Sequence, residues 1–106
     1  MNIHTDKAAD LDLPCPKSFE TQYAYVLRLM LEGITLNTRV CRYLGIHNLH
    51  SIAPKLYYNG IKFTWYKDLA ECPLSGEVPP RPVTTIYMTL EQRKAHRERL
   101  SALATA

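Results

Sequence analysis

No stretch of this sequence is apolar enough to cross a membrane. Its longest segment without Lys, Arg, Asp or Glu, residues 43–54, has twelve positions broken by Gly, His and Asn, whereas a spanning helix needs about 20 apolar residues. Cysteine is sparse: Cys15, Cys41 and Cys72 form an odd set, far apart, with no C-x-x-C pair. That argues against a disulfide scaffold and a zinc knuckle, and for a reducing cytoplasm. Residues 1–7 do not contain the apolar centre of a secretory signal. There is no glycine-rich phosphate loop, no Ser or Cys in a nucleophile motif, and few carboxylates near the histidines, so neither an enzyme nor a cofactor is expected. His47, His50 and Cys41 do not complete the four-ligand set that zinc takes, so no metal is expected either. What remains is ordinary globular composition, 106 residues with 46% hydrophobic and 22% charged, enough for one domain around a single core.

The most telling gap is in one sign of charge. Residues 33–67 contain no Asp or Glu but hold five basic residues, Arg39, Arg42, Lys55, Lys62 and Lys67, with His47 and His50 among them. The rest of the chain carries eight basic and ten acidic residues, so all of the net +3 arises in this third. Ordinary surfaces mix signs. A tract like this predicts a polyanionic partner, most simply nucleic acid.

Gly33, Gly45 and Gly60 are each followed by Ile, the pattern of a helix that stops on a left-handed glycine and folds an apolar residue back onto its last turn. Three short helices in succession are expected. The first is capped by Ser18 and carries Phe19, Tyr23, Val26, Leu27, Met30 and Leu31 on its apolar face, with Arg28 and Glu32 on the other. The second follows an Asn37 cap and buries Val40, Cys41 and Leu44. The third contains Pro54, which is tolerated only near a helix start, so Ser51 is read as its cap. That places Ile52, Ala53 and Leu56 inward and Ser51, Lys55 and Tyr58 outward.

After Gly60 the period changes from 3.6 to 2. Ile61, Phe63 and Trp65 alternate with Lys62, Thr64 and Tyr66, and residues 83–88 form a second strand candidate rich in β-branched and aromatic residues. The 16-residue loop between them, residues 67–82, holds Pro73, Pro79, Pro80 and Pro82, so a hairpin with a long tip is predicted. Thr89-Leu90-Glu91-Gln92 matches a capping box opening a basic last helix. Helix, short helix, helix, strand, long tip, strand is the order of an α+β winged helix-turn-helix. Residues 1–17 are read as an irregular arm, 18–89 as the winged domain, and 90–106 as the C-terminal helix. That helix either pairs with a second copy in a homodimer or lies along a phosphate backbone; both readings stay open.

The run Gly33-Ile34-Thr35-Leu36-Asn37, followed by Gly45-Ile46, Leu49, Ile52, Leu56, Gly60-Ile61 and Phe63, resembles the short helix-turn-helix domain family of bacteriophages and mobile elements, over roughly residues 24–66. Family members show Ser/Thr-Leu-Thr before the second helix and Gly-Tyr-x-Ile after the third. They usually carry a basic residue at the start of the recognition helix, where this chain has Ser51 and Ile52, and Pro54 is foreign to the pattern. The resemblance implies double-stranded DNA binding in a small regulator, such as a repressor or recombination factor.

The expected recognition surface is His47, Asn48, His50, Ser51, Lys55 and Tyr58, because polar side chains at the start of such a helix reach base edges. Arg39 and Arg42, with Lys62 and Lys67 on the wing, suit phosphates. Trp65 and one of Tyr57, Tyr58 and Tyr66 are expected to close the core between wing and helices, in preference to a base-stacking platform. A rival reading has the winged scaffold bind and redirect a host protein, favoured by the proline-containing tip and the aromatic residues.

Overall fold

The structure is a computed structural model that describes residues 3–105. Its elements run α1 (Thr5–Asp10), α2 (Gln22–Leu31), β1 (Leu36–Asn37), α3 (Thr38–Tyr43), α4 (Leu49–Tyr58), β2 (Thr64–Asp68), β3 (Val83–Tyr87) and α5 (Leu90–Thr105). This is a mixed α+β arrangement, with a three-stranded antiparallel sheet in the order β1-β3-β2. Ala106, at the end of the expected C-terminal helix, lies outside the described residues, as do Met1 and Asn2 of the expected arm.

One apolar cluster joins the layers. Tyr25, Val26, Leu29 and Met30 of α2 meet Cys41 of α3, Leu49, Ile52 and Leu56 of α4, and Leu36 and Ile86 of the sheet. Each fully buried Leu, Ile or Met contributes about 1.5–3 kcal/mol. Ile86 sits at the centre of the sheet, paired to Leu36 on one side and Trp65 on the other. Polar ties fix α2 to the elements after it: Gln22 Nε2 donates to the Gly45 carbonyl at 3.2 Å and Asn59 Nδ2 to the Tyr23 hydroxyl at 2.8 Å.

Several expectations hold in detail. Asn37 caps α3 through Oδ1, which accepts from Val40 N at 2.9 Å. Gly45 ends that helical segment at φ +91, and Ile46 N folds back to the Cys41 carbonyl at 2.7 Å. The capping box forms reciprocally, Thr89 N to Gln92 Oε1 at 3.0 Å and Gln92 N to Thr89 Oγ1 at 3.1 Å. Gln92 Oε1 also accepts from Thr64 Oγ1 at 3.0 Å, tying the start of α5 to β2.

Others are corrected. The first long helix begins at Gln22 with Thr21 as its cap, not Ser18, and Phe19 is 93% exposed. The cause is Glu20, which accepts from Lys17 N and pairs with Arg28 at 2.8 Å, holding residues 17–20 in a turn ahead of the helix. The segment read as an irregular arm contains α1, with Ile3 and Ala8 in the core and His4 N bonded to the Leu44 carbonyl at 2.8 Å. A six-residue helix is marginal alone, so its packing on the end of α3 stabilises it. Helix α4 starts at Leu49, making Pro54 its sixth residue instead of its third. The proline removes the donor that would reach the His50 carbonyl. Strand β2 begins at Thr64, three residues later than its alternation suggests, because Ile61 is used to close α4, its N–H on the Leu56 carbonyl at 3.0 Å.

Candidate nucleic-acid interface

The local structure of α3 and α4 decides where each expected site residue lies. The five residues between them carry the Gly45-Ile46 turn, and α4 is held down by Leu49, Ile52 and Leu56 on its inner side. Three concavities surround α3, the turn and α4. Asn48, Ser51 and Lys55 face a cleft against α2, together with Thr21 and Asn59. Arg39, Arg42 and His47 line a second cleft against α1 and the tip of the β2–β3 loop. His50 and Tyr58 border a third, between α4 and the hairpin. Ser51, Lys55 and Tyr58 are all exposed, on the outward side of α4 as expected; Ser51 and Lys55 border the cleft against α2, and Tyr58 the groove beside the hairpin.

The cations differ in how free they are. Arg42, Lys55 and Lys62 are exposed, and the one ion pair among the described residues, Arg28–Glu20, involves none of them. Arg39 is half-buried; its Nη2 donates to the Arg81 carbonyl at 3.3 Å and its buried Nε has no partner. Lys67 donates from Nζ to Thr84 Oγ1 at 3.0 Å. The tract thus offers three unengaged cations and two that already hold the hairpin and its tip.

Residues from outside the tract join the second cleft. Lys7 and His4 line it, with Lys7 Nζ 4.8 Å from the centroid of the Tyr43 ring. Nothing in the sequence around Lys7 marks it, since it arrives through the packing of α1. Cys72 lines the same cleft, and its thiol is pulled below the usual range by hydrogen bonds from Ser75, backbone and side chain, then from the Leu74 backbone, with Arg39 adding to them. Burial pushes Cys41 up to about 12, an inert thiol that is far from the thiolate a metal would take. Among the described residues no three His, Cys, Asp or Glu side chains converge on a point that could hold a metal ion.

The third concavity is the largest departure from expectation. The alternation of Phe63 and Trp65 is in phase, since Trp65 pairs with the buried Ile86 and shares its face of the sheet. Yet Trp65 does not close the core. It is 64% exposed, with Tyr57 at 72% and Tyr58 at 85%, and an open groove of 570 Å³ separates it from α4. Pro54, Tyr57, Tyr58, Phe63 and Trp65 form most of its wall. Tyr66 turns to the other face and meets Tyr87 edge-on at 5.8 Å.

The basic face of α5 is committed elsewhere. Arg97 Nη2 donates to the Leu31 carbonyl at 3.0 Å, while Arg99 donates to the carbonyls of Gly60 at 2.8 Å and Asn59 at 3.3 Å. These are the carbonyl ends of α2 and α4, where positive charge meets the negative pole of the helix. Comparison with protein-family models, with curated proteins and with solved structures gives no match.

Proposed function

We propose that this protein is a winged helix-turn-helix DNA-binding regulator, of the kind that phages and mobile elements encode, acting by occupying duplex DNA in the bacterial cytoplasm. In this reading α3 and α4 are the helix-turn-helix, the β2–β3 hairpin is the wing, and no catalysis is involved. The observation that carries it is the acid-free tract, residues 33–67, whose exposed side chains lie along α3, the turn and α4. Asn48, Ser51 and Lys55 then face base edges, and Arg42 and Lys62 face phosphates. The element order α2, β1, α3, α4, β2, β3 supports the same reading.

The test is fluorescence anisotropy of a labelled random-sequence duplex against salt, followed by selection of bound duplexes from a random pool. Arg42 and Lys62 are free to meet phosphates and Arg39 and Lys67 are already engaged, which gives two to four phosphate contacts, so log K should fall with log salt at a slope of about −2 to −3.6. A flat salt response, or no binding at low salt, overturns the reading.

A further inference from the structure

The groove between α4 and the hairpin does not suit what the rest of the tract suits. A phosphate cannot lose its hydration against Pro54, Phe63 and the faces of tyrosine and tryptophan without a large desolvation cost. Bases inside an intact duplex present their edges and keep their faces stacked. An aromatic groove instead matches a base whose face is free. The polar features lie at its margins. Thr84 lines it, and Lys67 Nζ rests 3.0 Å from the Thr84 hydroxyl, so an ammonium stands beside the aromatic wall. His50 borders it from the start of α4. No carboxylate occurs from residue 33 to residue 67, the stretch that supplies every lining residue except Thr84. Its 570 Å³ falls within the span of about 300–1,000 Å³ typical of small-ligand sites.

We infer that this groove takes an unstacked nucleotide of a single strand, the base packing against Trp65 and the tyrosines of α4 and the phosphate meeting Lys67. The inference rests on the nucleic-acid reading above and sharpens it: the preferred target is duplex with a single-stranded tail or an opened step, not uniform B-form DNA. The hydrogen bond from Lys67 to Thr84 holds the ammonium where a phosphate at the groove margin can replace the hydroxyl as its partner.

Trp65 is the only tryptophan, so its emission reports the groove directly. Full-length protein is titrated with oligothymidylate, with a blunt duplex and with the same duplex bearing a thymidine tail, while anisotropy follows binding. Oligothymidylate and the tailed duplex should quench Trp65, and the tailed duplex should bind more tightly than the blunt one. Trp65→Ala, an exposed substitution, should weaken binding of the tailed duplex and of oligothymidylate roughly 5- to 160-fold, the range for one base on one ring, and leave the blunt duplex almost unaffected. Trp65→Phe should restore most of that loss. Lys67→Met should lower the salt slope on oligothymidylate by about 0.7.

Binding of the blunt duplex with no quenching by any single strand overturns the groove assignment and leaves the proposed function standing. Failure to bind any nucleic acid removes both. A blue shift of Trp65 that grows with protein concentration and needs no DNA overturns the assignment in favour of a second copy in the groove, as would a shift produced only by a protein ligand.

Discussion

Arg39 and Arg42 are three residues apart on α3, and from sequence they look equivalent. Their surroundings separate them. Arg42 is exposed and carries no ion pair, whereas Arg39 is half-buried with one nitrogen on the Arg81 carbonyl. Replacing Arg42 with Ala should weaken binding to every duplex alike and lower the salt slope by about 1. Asn48→Ala and Lys55→Ala should act differently, relaxing preference at one base position by about 1–3 kcal/mol. Arg39→Ala should appear first in stability, because it detaches the loop tip from α3. Anisotropy on random and selected duplexes, alongside urea melts, separates the three behaviours. Equal losses on random and selected DNA for Asn48→Ala and Lys55→Ala would contradict their assignment to base edges.

At the level of elements, the stops after α2, α3 and α4 and the starts of α3 and α5 were legible because their chemistry is local. A left-handed glycine followed by isoleucine, an Asn cap and a Thr-x-x-Gln box each act within four or five residues. The elements that were not legible depend on distant partners. Helix α1 needs the end of α3, strand β1 is two residues long and exists only against Ile86 and Thr85, and the start of α4 overrides the proline rule because Leu49 is buried. The same distinction explains the site. Periodicity gave the facing of Trp65, while the standing-off of the hairpin that leaves it exposed is a property of the assembled layers. The arginines of α5 belong here too. An added Cβ on Gly60 would lie 2.9 Å from Arg99 Nη1, and Gly60 sits at φ +80, so this glycine serves both the turn and the approach of the arginine. Gly60→Ala should cost about 1–2 kcal/mol from the left-handed backbone alone. Arg99→Ala should also destabilise, by leaving the Asn59 and Gly60 carbonyls without their charged donor. If urea melts show Arg99→Ala to be neutral, the arginine does not cap α4 in solution.

For the molecule as a whole, acidification acts through two groups on opposite ends of the chain. His96 of α5 is buried, and its pKa is lowered first by that burial and then by the nearby Arg99, so the fold accommodates the neutral ring. Glu20 is held below its usual range chiefly by its hydrogen bonds with Arg28, so the fold favours the carboxylate. In both cases the unfolded chain binds the proton more readily, and stability must fall as pH falls. The histidine contribution is whole above about 6.5 and is lost as pH drops below it towards the depressed folded value; the glutamate contribution begins to go only below about 4.5. The thermal midpoint should therefore decline in two separable stages between pH 8 and pH 3. His96→Gln should remove the upper stage and leave the lower one, and Glu20→Gln should do the reverse at a lower starting stability, because it breaks the pair that holds residues 17–20 ahead of α2. Since α5 reaches α2 and α4 through Arg97 and Arg99, protonating His96 beside Arg99 places a second positive charge where the helix docks. The upper stage should thus coincide with loss of amide protection at the start of α5 and the end of α4, and a midpoint that does not change between pH 8 and pH 5 would show that His96 is solvated in the folded protein.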